Sequence, residues 1–232
     1  MNSEDRRTHM LQLAAGAAFL AVAVVLVLIV VSASSSGDGG DTKLEGVPEV
    51  NRRLAGIPQH GMVLGDPSAP VEVLEFADLQ CPYCKAFTED QLPPIIENQI
   101  KKGEVKLAFH NFTIIGEQSL PAGAAALAAG AQGRGWNFVE LFYKNQGNEN
   151  SGYADDEFLR AIAKGAGVSD MAEWNEERQK VTAEVEATTA EAQELGFAGT
   201  PSLAIKGPGT AGLEPIEAQS TGDLEAAIEA AG

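Results

Sequence analysis

Cys81-Pro82-Tyr83-Cys84 contains the only two cysteines of the 232-residue chain, two residues apart. A chain that uses cysteine to staple its fold spreads it along the sequence. Here both fall in one C-x-x-C, directly after the apolar run Val71-Glu72-Val73-Leu74-Glu75-Phe76. That order reads as a buried strand, a short turn, and a helix whose first turn carries the pair. A thiol at a helix N-terminus faces unpaired backbone N–H groups and the positive end of the helix dipole, which favour the thiolate. The thiolate is the species that attacks disulfides, so the local chemistry points to dithiol–disulfide exchange. A closed structural zinc site needs four ligands. With no further cysteine, and with His9, His60 and His110 scattered, the sequence offers no such set. A purely structural disulfide here would close a very small loop and constrain the unfolded chain little.

Residues 11–31 form an uncharged stretch whose one strongly polar side chain is Gln12. About 20 apolar residues in a helix cross a bilayer core. Arg6 and Arg7 precede the stretch and the next basic residue after it is Lys43, so the charge bias predicts a cytoplasmic N-terminus. Val31-Ser32-Ala33 is an acceptable site for signal cleavage. The apolar run exceeds an ordinary signal peptide's 7–15 residues, which favours an uncleaved anchor. Either way the rest of the chain is expected outside the cytoplasm, where disulfides persist. The expected organisation is a cytoplasmic N-terminus at 1–10, a transmembrane signal anchor at 11–31, a linker and loosely attached lead-in at 32–61, and one domain at 62–232. The Ser-, Gly- and Asp-rich part of the linker behaves as flexible coil.

The formal charge of −17 falls wholly in the outer part, because two acids and two arginines cancel in the first ten residues. Such a balance argues against nucleic acid and against a surface drawn to anionic lipid. No nucleotide motif is present, and no cofactor is expected.

Within the domain, Val71–Phe76 and Val105–Phe109 read as parallel strands joined by a helix starting near Cys81, with a kink at Pro93-Pro94. Helices follow at Leu120–Ala131, Trp136–Asn145, Asp155–Gly165 and, unbroken, Ala172–Leu195. Strand character returns at Ser202–Lys206, just after Gly199-Thr200-Pro201, with a short strand near Leu213–Glu217 and a last helix at Asp223–Ala230.

This order resembles the α/β thioredoxin fold with an inserted helical subdomain at about 112–195, preceded by one N-terminal transmembrane helix. More closely it resembles the DsbA-like thiol–disulfide oxidoreductases of bacterial cell envelopes. The resemblance is carried by residues 69–85, from Ala69-Pro70-Val71 through Cys81-Pro82-Tyr83-Cys84-Lys85, and by Gly196-Phe197-Ala198-Gly199-Thr200-Pro201-Ser202. It covers roughly residues 62–232. Cys-Pro-Tyr-Cys is also the usual glutaredoxin signature. The 116 residues between Cys84 and Pro201 are far more than a minimal glutaredoxin has, and they require the insertion.

The pair's geometry makes Cys81 the attacking thiol, nearest the helix start and the more exposed, and Cys84 the resolving one. Pro82 and Tyr83 shape the turn and tune the potential. The resemblance implies that Thr200-Pro201 is a cis-proline facing the pair, with the Thr200 backbone free to pair with an extended substrate. It also implies that Glu75, six residues before Cys81, sits under the site and helps move protons. A Glu75 pointing to a polar edge is the alternative. Asp78 reads as a turn or cap residue and His110 as a strand-end residue. Trp136, Phe138, Phe142 and Trp174 read as packing residues.

The resemblance implies an extracytoplasmic oxidase that gives its disulfide to exported proteins carrying thiols. A DsbB-like or VKOR-like membrane protein would re-oxidise it. An isomerase or reductase of the same fold is the alternative, and a non-catalytic binding module or chaperone is a further one. Isomerases carry a separate dimerisation domain. The 32–61 segment is too short and polar for one, so a monomer is expected.

Overall fold

The computed structural model describes residues 42–232. The expected anchor at 11–31, and the linker as far as Asp41, lie outside the described residues. Among those described, no helix is long and apolar enough to cross a membrane.

Six strands form one mixed sheet in the order β1-β2-β4-β3-β5-β6: β1 Gln59–His60, β2 Val63–Leu64, β3 Val71–Ala77, β4 Val105–Asn111, β5 Ser202–Lys206 and β6 Glu214–Ile216. Only β3 and β4 run parallel, with Glu75 opposite Phe109. The other pairs are antiparallel, and Glu75 also lies opposite Leu203 on β5. Strand side chains alternate between faces. Leu74 and Phe76 pack on one face with Ala108, Ala192 and Ala204, whereas Val71, Val73 and Ala77 join the main core on the other. Glu75 is in phase with that second set, and so points to the face that carries the cysteine helix.

That helix, α2, spans 82–100. It consists of α-helical Pro82–Ala86 and Leu92–Ile95, each followed by a π-helical stretch, Phe87–Gln91 and Ile96–Ile100. Pro93 and Pro94 lack the N–H groups that would bond one turn back. The ladder widens just before them, with the Leu92 N–H donating to Phe87 O. The expected irregularity therefore takes the form of a π segment. The last helix, α8 (Thr221–Ala231), buries Leu224, Ile228 and Ala231 in the same core as α2.

Between β4 and β5 come α3 Ser119–Ala131, α4 Gly135–Lys144, α5 Asp156–Ala166, α6 Met171–Glu177 and α7 Thr182–Glu194. Asp155 caps α5, accepting from Phe158 N. The single long helix expected over Ala172–Leu195 is instead two. Glu and Ala favour helix throughout, but tertiary anchors pull the halves to different neighbours. Trp174 is buried on α6 and donates to Ala125 O on α3 at 2.9 Å. On α7, the Thr188 and Thr189 hydroxyls both reach Asn111 O at the end of β4, at 2.9 and 3.3 Å. As a result α7 covers the Leu74–Phe76 face of the sheet, although it falls within the span expected as insertion.

The lead-in is also corrected: it is packed, not loose. Helix α1 (Val47–Arg53) buries Val50. Trp136 Nε1 donates to Met62 O at 2.8 Å. The fit is close enough that a Cβ at Gly130 or Gly135 would fall 2.9 or 2.7 Å from the Gly61 carbonyl oxygen.

Candidate active site

β3 ends at Ala77, and the four residues Asp78–Cys81 turn the chain into α2. Cys81 is the N-cap in extended conformation, and Pro82 occupies the first turn, where a missing N–H costs nothing. The turn is closed by Cys81 N–H donating to Asp78 O at 2.9 Å. Both cysteines are free thiols. Cys84, one turn on, is fully buried. Cys81 is 2% exposed, so the expected contrast in exposure is nearly absent. Tyr83, by contrast, is 75% exposed.

The Thr200–Pro201 bond is cis. Thr200 O lies 3.3 Å from Cys81 Sγ and accepts from the thiol. The fold therefore brings the two sequence motifs together across the gap of 116 residues. Beside them a shallow groove of about 200 Å³ is lined by Phe87, Phe197, Pro201, Leu203 and Ile216 among others.

The two thiols are driven apart in acidity. Cys81 is drawn down from the ordinary thiol range to about 6. The Cys84 thiol's hydrogen bond to its sulfur contributes most, and the Thr200 side chain and the Cys84 and Tyr83 N–H groups add to it against opposing burial. Burial pushes Cys84 up, and hydrogen bonding to Cys81 and the charges of Cys81 and Glu75 act in the same direction. Glu75 is fully buried, and among the described residues neither carboxylate oxygen has a hydrogen-bond partner. Burial first, then the Cys81 charge, raises it to about 8. The polar-edge alternative for Glu75 is thereby set aside.

Gln80 and Tyr143 escaped the sequence reading, and Asp78, read as a turn or cap residue, does more than close its turn. Asp78 is a buried tie: Oδ1 accepts from Gln80 N at 2.9 Å, and Oδ2 from Ile114 N and Ile115 N at 2.8 and 2.9 Å. Gln80, also buried, donates to Ser119 Oγ at 3.0 Å and accepts from Asn150 N. Tyr143 is buried on α4. Burial, then the charges of Cys84 and Glu75, raise its phenol well above the usual range. His110 pairs with Glu191 at 3.0 Å on the far face of the sheet, against Phe76. Trp136, Phe138, Phe142 and Trp174 are all core.

A family model described as thioredoxin matches residues 58–230, and the chain belongs to that family. Within it the chain is a DsbA-like thiol–disulfide oxidoreductase. It is 32% identical over 149 residues to the probable disulfide bond formation protein D of Bacillus cereus, covering 62% of this chain and 69% of that one. It is 29% identical over 147 residues to disulfide bond formation protein D of Bacillus subtilis, covering 62% and 66%. The crystal structure of oxidised BdbD from B. subtilis superposes with a TM-score of 0.64 at 26% identity, covering 75% of this chain and 96% of that one. The α-DsbA1 of Wolbachia pipientis, at 21% identity and a TM-score of 0.61 over 73% and 89%, shares the fold.

Proposed function

We propose that this chain is an extracytoplasmic oxidase that passes the Cys81–Cys84 disulfide to exported proteins. The observation that carries the reading is the geometry of the pair: Cys81 caps the start of α2 with Thr200 O of the cis Thr200–Pro201 loop 3.3 Å from its sulfur, and Cys84 is fully buried one turn on, an arrangement that favours Cys81 as thiolate and Cys84 as thiol. A substrate thiolate attacks Cys81 Sγ. The Cys81–Cys84 bond breaks, and a mixed disulfide forms as Cys84 takes up a proton. A second substrate thiolate attacks the substrate sulfur of that mixed disulfide and expels Cys81 as thiolate. Two electrons pass from the two substrate thiols to the pair. The substrate's protons go to Cys84 and to solvent. A leaving thiol of low pKa departs faster, and stabilising the reduced form makes the disulfide oxidising.

Glu75 is the group that relays the Cys84 proton, since it is buried on the same face and raised to near neutrality. The Thr200 backbone and the groove at Phe87, Phe197 and Ile216 take an extended substrate segment. Pro82 and Tyr83 set the turn geometry. The relatives named for disulfide bond formation favour an oxidase over an isomerase or reductase. Joining Cys81, Cys84 and Thr200-Pro201 in one site disfavours a non-catalytic module.

The proposal extends to an anchor at residues 11–31, an outward-facing domain, a monomeric state and a DsbB-like or VKOR-like re-oxidising partner. Protease added to spheroplasts is expected to remove the domain, and full protection would overturn that topology. The reading itself is tested by equilibrating the pair with glutathione. A potential well above about −270 mV, the thioredoxin value, is expected, and one at or below it would sink the oxidase reading.

A further inference from the structure

The C-terminal end of α4 carries a set of contacts that the chemistry above does not use. Tyr143 and Gln146 are three residues apart, on one face of the helical path. Both donate into the loop that delivers Cys81. The Tyr143 hydroxyl donates to Asp78 O at 3.2 Å. Gln146 Nε2 donates to Leu79 O at 2.8 Å and to Cys81 O at 3.1 Å. Only the amide nitrogen, with its two protons, can serve two carbonyls, so the partners dictate how the carboxamide is turned.

Gln146 is itself held in place. Its N–H donates to Tyr143 O at 3.1 Å, continuing the turn. The preceding Asn145 donates to Leu141 O at 2.8 Å and to Glu45 O at 3.1 Å, and accepts from Glu45 N at 2.7 Å. The stretch entering α1 therefore closes the end of α4 one residue before Gln146.

We propose that Gln146 is a positioning residue for the Cys81 sulfur: by tying down the Leu79 and Cys81 carbonyls it neutralises the two dipoles that would otherwise oppose a negative charge there. The Cys81 carbonyl belongs to the same residue as the sulfur. Apart from Gln146, it receives only the Lys85 N–H, at 3.2 Å, among the described residues. A carbonyl with a bound donor presents less negative charge to its surroundings, and the donor's own positive end adds a favourable field. Gln146 never contacts substrate; it acts through the loop. The inference deepens the oxidoreductase reading and rests on it.

The test is Gln146→Met, nearly isosteric and without donors, followed by thiolate absorbance against pH in the reduced protein. The Cys81 pKa is expected to rise by about half to one unit. At pH 7 the glutathione ratio at half-reduction should then move about threefold to fivefold toward the disulfide form, as the ionised fraction falls. Gln146→Lys, which restores donors and adds a positive charge, should not raise the pKa. An unchanged pKa in folded Gln146→Met, or a rise in Gln146→Lys equal to that in Gln146→Met, overturns the proposal. Should Gln146→Met fail to fold, Gln146→Asn decides in its place. It keeps the amide but is too short for both carbonyls, so its pKa should rise, and no rise overturns the proposal. A wild-type pair no more oxidising than thioredoxin would count against the oxidase reading, while the shift between variants would still read out the role of Gln146.

Discussion

Two buried glutamates of this domain, one in the sheet and one in the helical insertion, are handled differently. Glu75 on β3 has Phe109 and Leu203 as its cross-strand neighbours and, among the described residues, no opposite charge acting on it. Glu140 on α4 is 3% exposed and faces Arg53 of α1 at 3.2 Å, without the alignment of a hydrogen bond. Burial dominates both. It lifts Glu75 to about 8 and Glu140 to about 7, the latter restrained by Arg53. An uncompensated buried charge is costly, and a protein keeps one where it has a use for the proton. The insertion compensates its carboxylate and uses the pair to join the lead-in helix to α4. The sheet leaves its carboxylate bare beneath the thiols.

The sharpest way to break this comparison is to neutralise each carboxylate in turn. On the role proposed for it, Glu75→Gln removes the carrier of the Cys84 proton. Reduction and re-oxidation of the pair should slow by about 10²–10³-fold near neutral pH, the usual scale for losing a general acid–base group. Glu140→Gln should leave both rates unchanged. Rapid acid quench and alkylation of each variant reads this out, and equal slowing in the two would end the distinction. The stability consequence has a definite sign. A folded pKa above the unfolded value means the folded state binds more protons between about 4.5 and 8, so stability falls as pH rises through that window. Glu75→Gln should remove that part of the slope; in the disulfide form, where the Cys81 charge is absent and burial alone raises Glu75, the window closes below 8.

A smaller effect is expected from the compensated site. Arg53→Met leaves Glu140 buried without its cation. The cost of the lost ion pair should be no more than about 1.4 kcal/mol at pH 8, because the variant can keep Glu140 protonated and pH 8 lies one unit above its folded pKa of about 7. Because Glu140 is raised, not lowered, its folded carboxyl is neutral with or without Arg53 below about pH 7, so the penalty should be small at pH 4 and should open only as pH climbs above about 7. Urea unfolding of wild type and variant at pH 4 and 8 measures it. A gap equal at both pH values would mean that Arg53 acts by packing alone.

How much of this was legible beforehand divides along the same line. The sheet side was readable from local pattern. The near-continuous apolar run of β3 implied a buried central strand, and the turn after it implied Cys81 at a helix start. The Gly199-Thr200-Pro201 punctuation, read with the family resemblance, implied a second active-site element. The insertion side was not readable, because its decisive contacts link residues far apart in sequence. Nothing local announces that Gln146 faces Cys81 O, that Arg53 faces Glu140, or that Met62 O accepts from Trp136. The lead-in looked loose because its prolines and arginines are loop-like in isolation. The break between α6 and α7 was hidden because Arg178-Gln179-Lys180-Val181 has neither Gly nor Pro. Arg178 is fixed there by Asn175 and by stacking on Trp174 at 4.7 Å. Cys81 is the more exposed of the pair, as expected, but its near-complete burial was hidden for the same reason: Thr200 lies against its sulfur from 119 residues away.

The smallest effect should come from Lys144, and it sharpens the comparison at its weakest point. Lys144 lies on α4 with Glu140, one turn away. It pairs with Glu49 at 3.4 Å and approaches Glu89 on α2 at 4.0 Å, with about a third of its side chain exposed. It lowers Glu140 less than Arg53 does, and Glu49 opposes it. Lys144→Met should therefore cost no more than about 0.5–1 kcal/mol, the range of exposed pairs, and that cost should shrink in high salt. It should not change the Cys81–Cys84 exchange rates, since the charges it meets belong to the lead-in and the outer side of α2. Denaturation at two salt concentrations, with exchange kinetics on the same samples, tests both statements. A kinetic change would mean that the charge cluster of the insertion reaches the thiols after all, and the contrast between a working carboxylate and a structural one would fail.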